Sequence, residues 1–196
     1  LRDTRLESPI PPFGGGDHFD IGEEALVFVS KDPDLNPATH TKQNLYISLW
    51  KGTPGADVLP PEKVTIPGGY EGATSAPTLS PDGKAVAFLT MRKDGYESDK
   101  NHLLLIPDVR RSQWIEFYFS TPDGKGSWDR SPSNIAWSLD GERLFLLAEN
   151  HGSVVIYTTA STVTDAKSTP QLLWNGGSTS VSGTSLFVTD IYSVTC

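Results

Sequence analysis

The chain has 196 residues, 37% hydrophobic and 10% aromatic, with 18 Gly and 15 Pro, enough apolar material for a packed core of one or two domains and too much for a disordered chain. Lys and Arg total 16 against 24 Asp and Glu, a net charge of -8, and no basic run exceeds Arg110-Arg111, so a nucleic acid is not an expected partner. The longest apolar stretches, such as Leu103 to Ile106 and Leu144 to Ala148, fall far below the ~20 residues a helix needs to cross a bilayer, and no membrane partner is expected.

Cys196 is the only cysteine and the last residue, which excludes an internal disulfide framework and a multi-cysteine zinc site. The chain begins Leu-Arg-Asp-Thr, with no charged-then-apolar leader, and reads as a processed product or a piece of something longer.

No window carries apolar residues at helical spacing, and Gly or Pro recurs every few residues. In chain order, apolar runs bounded by turn residues predict strands at Ala25 to Ser30, Asn44 to Trp50, Ala85 to Thr90, His102 to Ile106, Trp114 to Phe119, Arg143 to Ala148 and Ser153 to Tyr157. The expected class is all-β.

The strands repeat. Ala76-Pro-Thr-Leu-Ser-Pro-Asp-Gly-Lys84 precedes one apolar strand and Asn134-Ile-Ala-Trp-Ser-Leu-Asp-Gly-Glu142 precedes another. Each Asp-Gly pair predicts a two-residue hairpin between antiparallel neighbours. Weaker copies flank them, and the marker residues Gly22, Gly83, Gly141 and Gly183 are spaced by 61, 58 and 42 residues, compatible with propeller blades carrying long loops. Four strands fall between consecutive markers, which predicts blade-like units at about 17–66, 76–119 and 134–174 and a partial one at 178–196. Four-stranded antiparallel units in tandem are the pattern of a β-propeller, here incomplete at about three and a half blades against the ~4 to 8 of closed rings. An open array exposes apolar surface and strand edges, so the remaining blades or a second copy of the chain is expected to cover them.

The Pro-Asp-Gly-Lys hairpin formula is shared by propellers of the TolB type and of the prolyl-oligopeptidase superfamily. With it stand Glu7-Ser-Pro-Ile-Pro-Pro-Phe-Gly-Gly15, the loop Lys31-Asp-Pro-Asp-Leu-Asn-Pro-Ala-Thr-His-Thr-Lys-Gln-Asn-Leu-Tyr46, and Met91-Arg-Lys-Asp-Gly-Tyr-Glu-Ser-Asp99. Together these resemble the propeller domain of secreted fungal dipeptidyl-peptidase V. The resemblance implies a secreted serine peptidase that removes dipeptides from free amino ends, using an α/β-hydrolase domain after the propeller. This sequence holds no Gly-x-Ser-x-Gly nucleophile elbow; the nearest approach, Gly176-Gly-Ser-Thr-Ser180, lacks the final glycine. No catalytic residue is therefore assigned, no activity is expected from the chain alone, and the expected role is to gate or orient peptides for the hydrolase domain. A reading of a different class is a stand-alone binding or scaffold protein, closed as a homodimer of two half-rings.

In an up-and-down blade with strands A to D, the B-to-C and D-to-A loops share one face. That face receives Asp32, Asp34, His40, Tyr96, Glu97, Asp99, Glu149 and His151, with Tyr70, Glu71, Trp128, Asp129 and Arg130. A peptide's amino end calls for a carboxylate. The resemblance makes Glu97 and Asp99, with Tyr96 between them and the strand, the substrate-binding candidates, although loop carboxylates commonly cap backbone N–H groups instead. Glu23-Glu24 in a hairpin turn is expected to be solvent-exposed. Asp32-Pro-Asp-Leu-Asn36 opens like a calcium loop but has Pro37 where Gly is required and Gln43 where Glu is required. Thr121-Pro-Asp-Gly-Lys125 reads as a stabilised turn. His18, His40, His102 and His151 have no Glu or His at ligand spacing, so no metal and no cofactor is expected.

Overall fold

Three meanders make up the described part of the chain, residues 4–7, 18–50, 59–162 and 168–174 of the computed structural model. The first sheet contains β1 (Phe19–Ile21), β2 (Ala25–Lys31), β3 (Gln43–Leu49) and β4 (Glu62–Lys63); the second contains β5 (Thr74–Leu79), β6 (Val86–Thr90), β7 (His102–Ile106) and β8 (Glu116–Phe117). The third contains β9 (Pro132–Trp137), β10 (Arg143–Asn150), β11 (Ser153–Ala160) and β12 (Gln171–Trp174). Each is a four-stranded antiparallel sheet in sequential order, and one short 3-10 turn, Val109–Arg111, interrupts the second. The architecture is all-β and propeller-like, and it is incomplete. The fourth, partial unit expected at 178–196 lies outside the described residues.

The second sheet is the middle layer, and its sequence says why. Residues alternate faces along a strand, yet β6 and β7 are apolar and buried at nearly every position. Val86, Phe88, Leu104 and Ile106 pack with Ala25, Val27, Val29, Leu45 and Ile47 of the first sheet. Ala87, Leu89, Leu103 and Leu105 turn the other way, against Ile135, Trp137, Leu144 and Leu146 of the third. A strand covered on both faces loses its polar alternation. The first sheet's second face stacks Phe28 on Tyr46, centroids 5.5 Å apart, and leaves Phe19 and Ile21 more than half exposed.

Two local expectations are corrected. The Asp-Gly markers are not two-residue hairpins: the Ser80 N–H donates to the Ala85 carbonyl (2.8 Å) and the Gly83 N–H to the Ser80 carbonyl (2.8 Å), so Pro81 to Lys84 form a longer loop. The Ser80 hydroxyl accepts from the Ala85 N–H at 2.9 Å and donates to Asp82 at 2.6 Å, which widens the turn; Ser138, Asp140 and Arg143 repeat the pattern. The two-residue loop with two positive φ angles sits instead at His151 (φ 51°) and Gly152 (φ 79°), between the paired residues Asn150 and Ser153. The fourth strand of the second sheet is also shorter than expected. Trp114 closes the 3-10 turn, its N–H donating to Arg111 (2.8 Å), and Phe119 at φ 57° ends the ladder, leaving Glu116–Phe117.

Candidate functional site

The loops after β2 and β6 and those before β5 and β9 meet at one end of the sheets, and polar contacts stitch them together. Asp94, on the loop after β6, is the main clasp. Its Oδ1 accepts from the N–H groups of Thr41 (2.8 Å) and Lys42 (3.2 Å), its Oδ2 pairs with His40 Nδ1, and the Gly95 N–H donates to Thr41 Oγ1 at 2.8 Å. Burial works to raise the Asp94 pKa; the His40 and backbone contacts outweigh it and hold the carboxyl below its ordinary value.

Behind this clasp lies Asp32, accepting from Asn44 Nδ2 at 3.0 Å, the Asp34 N–H at 3.0 Å and Lys63 Nζ at 3.2 Å. Burial again opposes ionisation, and these donors win, lowering the pKa to about 2. An ammonium and an amide thus occupy the carboxylate that the sequence offered as the start of a calcium loop. Lys42 completes the network by pairing with Glu71. Among the described residues, no three His, Cys, Asp or Glu side chains gather at metal-binding distance.

Toward the third sheet the same loop presents cations. The Arg92 guanidinium lies over the Tyr70 ring, 5.5 Å from its centroid, and donates to the carbonyls of Gly68 (2.9 Å) and Asp123. Lys100 Nζ donates to the Trp128 carbonyl, and burial lowers its pKa against the pull of Asp129. Asn101 holds Ser131 and Pro132. His102, at the start of β7, is buried edge-on to Tyr70 at 5.4 Å; burial first, then Lys100, lower its pKa to about 4, so the ring is neutral at physiological pH. Phe119, Trp128 and Tyr157 form an edge-to-face series at 5.3 and 5.4 Å that ties this loop face to β11.

The three candidate residues take different positions on that face. Asp99 organises its own loop: Oδ2 accepts from the N–H groups of Arg92 (3.1 Å) and Lys93 (2.8 Å), and Oδ1 from that of Lys100 (2.9 Å). Glu97 is exposed, with no hydrogen bond or ion pair among the described residues. Tyr96 is half exposed, and Lys93 Nζ stands 5.4 Å from its ring centroid. Asp34 pairs with Arg5. Glu24, at the opposite end of the sheets, pairs with Arg110. Sequence reading passed over Asp94, Lys42 and Arg92; the Asp94-Gly95 turn dipeptide was the available signal for the first, and nothing local marks the other two.

No protein-family model matches the chain. Individual proteins do match it. It is 32% identical over 203 residues to dipeptidyl-peptidase 5 of Trichophyton schoenleinii, covering 96% of this chain and 27% of that protein. It is 40% identical over 165 residues to dipeptidyl-peptidase 5 of Schizosaccharomyces pombe, covering 80% of this chain and 21% of that protein. With dipeptidyl-peptidase 5 of Arthroderma otae it shares 34% over 164 residues. The chain spans about a quarter of the length of the curated relatives it matches. The resemblance read from its residues is thus to one part of these larger proteins.

Proposed function

We propose that this relative of dipeptidyl-peptidase 5 is the non-catalytic propeller part of a secreted serine dipeptidyl-peptidase. In this reading its loop face orients the free amino end of a peptide toward an α/β-hydrolase domain that, with the remaining blades, lies outside this chain. The observation that carries the reading is the match to dipeptidyl-peptidase 5 along 96% of the chain. The sequence holds no nucleophile elbow, so a serine mechanism needs residues from elsewhere.

Glu97 is the residue proposed to meet the amino group. Its carboxylate is exposed, whereas Asp99 already accepts three backbone N–H groups, which uses most of a carboxylate's acceptor capacity. Tyr96 supplies an aromatic surface beside it. Loss of one charge-assisted hydrogen bond to a substrate ammonium corresponds to roughly tenfold in affinity.

The test is a dipeptidyl reporter assay on the purified 196-residue chain, in which no hydrolysis is expected; turnover abolished by a serine-directed inhibitor overturns the reading. In a protein that carries this segment together with a hydrolase domain, Glu97→Gln is expected to raise KM about tenfold with kcat nearly unchanged. An unchanged KM removes Glu97 from the role. The exposed Phe19 and Ile21 on the first sheet's outer face favour one further reading, a scaffold closed by self-association of two chains.

A further inference from the structure

At the end of the sheets opposite Glu97, a cleft of about 670 Å³ opens between the second and third sheets. That volume is in the range of small-ligand sites. Leu105, Pro107, Trp137 and Leu139 form apolar walls, and Glu116 stands among them.

The internal repeat shows what is unusual about Glu116. In the first sheet Ile47 pairs with Glu62; in the second, Leu105 pairs with Glu116. The two glutamates therefore hold the same place in successive sheets. Glu62 accepts from Ser112 Oγ at 3.0 Å and Gln113 Nε2 at 3.4 Å. The Glu116 side chain has no hydrogen bond or ion pair among the described residues, although it is half-buried and burial raises its pKa. A desolvated carboxylate without a donor is costly, and a cation seated beside it offsets that cost.

The charges around the cleft point the same way. Lys84 is already neutralised by Asp82 at 3.2 Å. Asp140, which also lines the cleft, accepts from Ser138 Oγ and the Glu142 N–H; it is in no ion pair among the described residues, and Arg143 acts on it electrostatically. An acidic cleft with aliphatic and indole walls is complementary to a cation on an apolar stem.

We propose that this cleft binds the side chain of an arginine or lysine, with Glu116 as the counter-charge and Leu105, Pro107 and Leu139 against its methylene stem. The proposal rests on this chain's own geometry and stands apart from the peptidase reading.

The test follows the indole Nε1–H resonance of Trp137 in the full chain while N-acetyl-arginine methylamide is added, with the uncharged citrulline counterpart as control. Saturable binding of the arginine probe is expected, at least about tenfold tighter than that of citrulline, and about tenfold weaker in Glu116→Gln. Because the Glu116 side chain has no partner among the described residues, the variant is expected to unfold at the native temperature or above, which checks that it folds. Equal responses to the two probes in the native chain, no saturable response, or an unchanged affinity in a folded Glu116→Gln overturns the proposal.

Discussion

The Asp94 carboxylate, on the loop after β6, accepts a hydrogen bond from the backbone N–H of Thr41, on the loop after β2, at 2.8 Å. One side chain thereby joins two loops 53 residues apart in sequence, and Lys42 and His40 attach to the same carboxylate. Asp94→Ala leaves those donors without an acceptor, and the expected loss is about 1–3 kcal/mol of stability. Urea unfolding measures it, and amide hydrogen exchange at Thr41 and Lys42 should quicken before exchange in β6 does.

Stability should fall in two steps as the pH is lowered. His102, with a pKa of about 4 against its ordinary 6.5, is protonated more readily in the unfolded chain, so stability is complete above pH 6.5 and declines until about pH 4, by about 3 kcal/mol. Asp32, with a pKa of about 2 against 3.8, contributes stability above pH 3.8 that is lost as the pH falls toward 2, by about 2 kcal/mol. Denaturant unfolding across pH should show His102→Phe flattening the first step and Asp32→Asn the second.

Two glycines of similar φ should respond very differently to alanine. Gly83 has φ 70° and open space where a Cβ would stand, so Gly83→Ala is expected to cost only the left-handed backbone penalty of about 1 kcal/mol. Gly68 has φ 88°, and a Cβ there would overlap the Pro122 carbonyl. Gly68→Ala must push apart the loops before β5 and β9, and a loss of more than about 3 kcal/mol is expected in the same unfolding measurement.

The tryptophans divide in the same way. Trp128 is buried between Phe119 and Tyr157, and Trp128→Ala is expected to cost about 3–5 kcal/mol. Trp114 is half exposed, and its replacement should stay within about 0.5 kcal/mol. Thermal unfolding of the two variants side by side separates them.

The central strands were legible in the sequence because burial writes them there. His102–Ile106 occurs as expected, and β6 begins one residue later than the apolar run suggested. The outer strands were not so legible: Glu62–Lys63 and Glu116–Phe117 are short, polar-containing edges whose limits are set by a 3-10 turn and a left-handed Phe119. The Asp-Gly hairpins were misread because the serine that precedes each one supplies a side-chain acceptor in place of a second backbone bond. On the loop face, the grouping of loops follows from strand order alone. Which carboxylate is free does not: Asp99 and Glu97 are two residues apart and chemically alike, and only the fold of the Met91–Asn101 loop gives one of them three N–H partners.

The most direct test of the peptidase reading is the intact mass of the natural protein recognised by an antibody raised against this chain, measured together with its dipeptidyl-peptidase activity. A species about four times the 21.3 kDa of this chain, hydrolysing a dipeptidyl reporter and stopped by a serine-directed inhibitor, is the expected result. A natural species of 21.3 kDa that pairs with itself and hydrolyses nothing would contradict the reading.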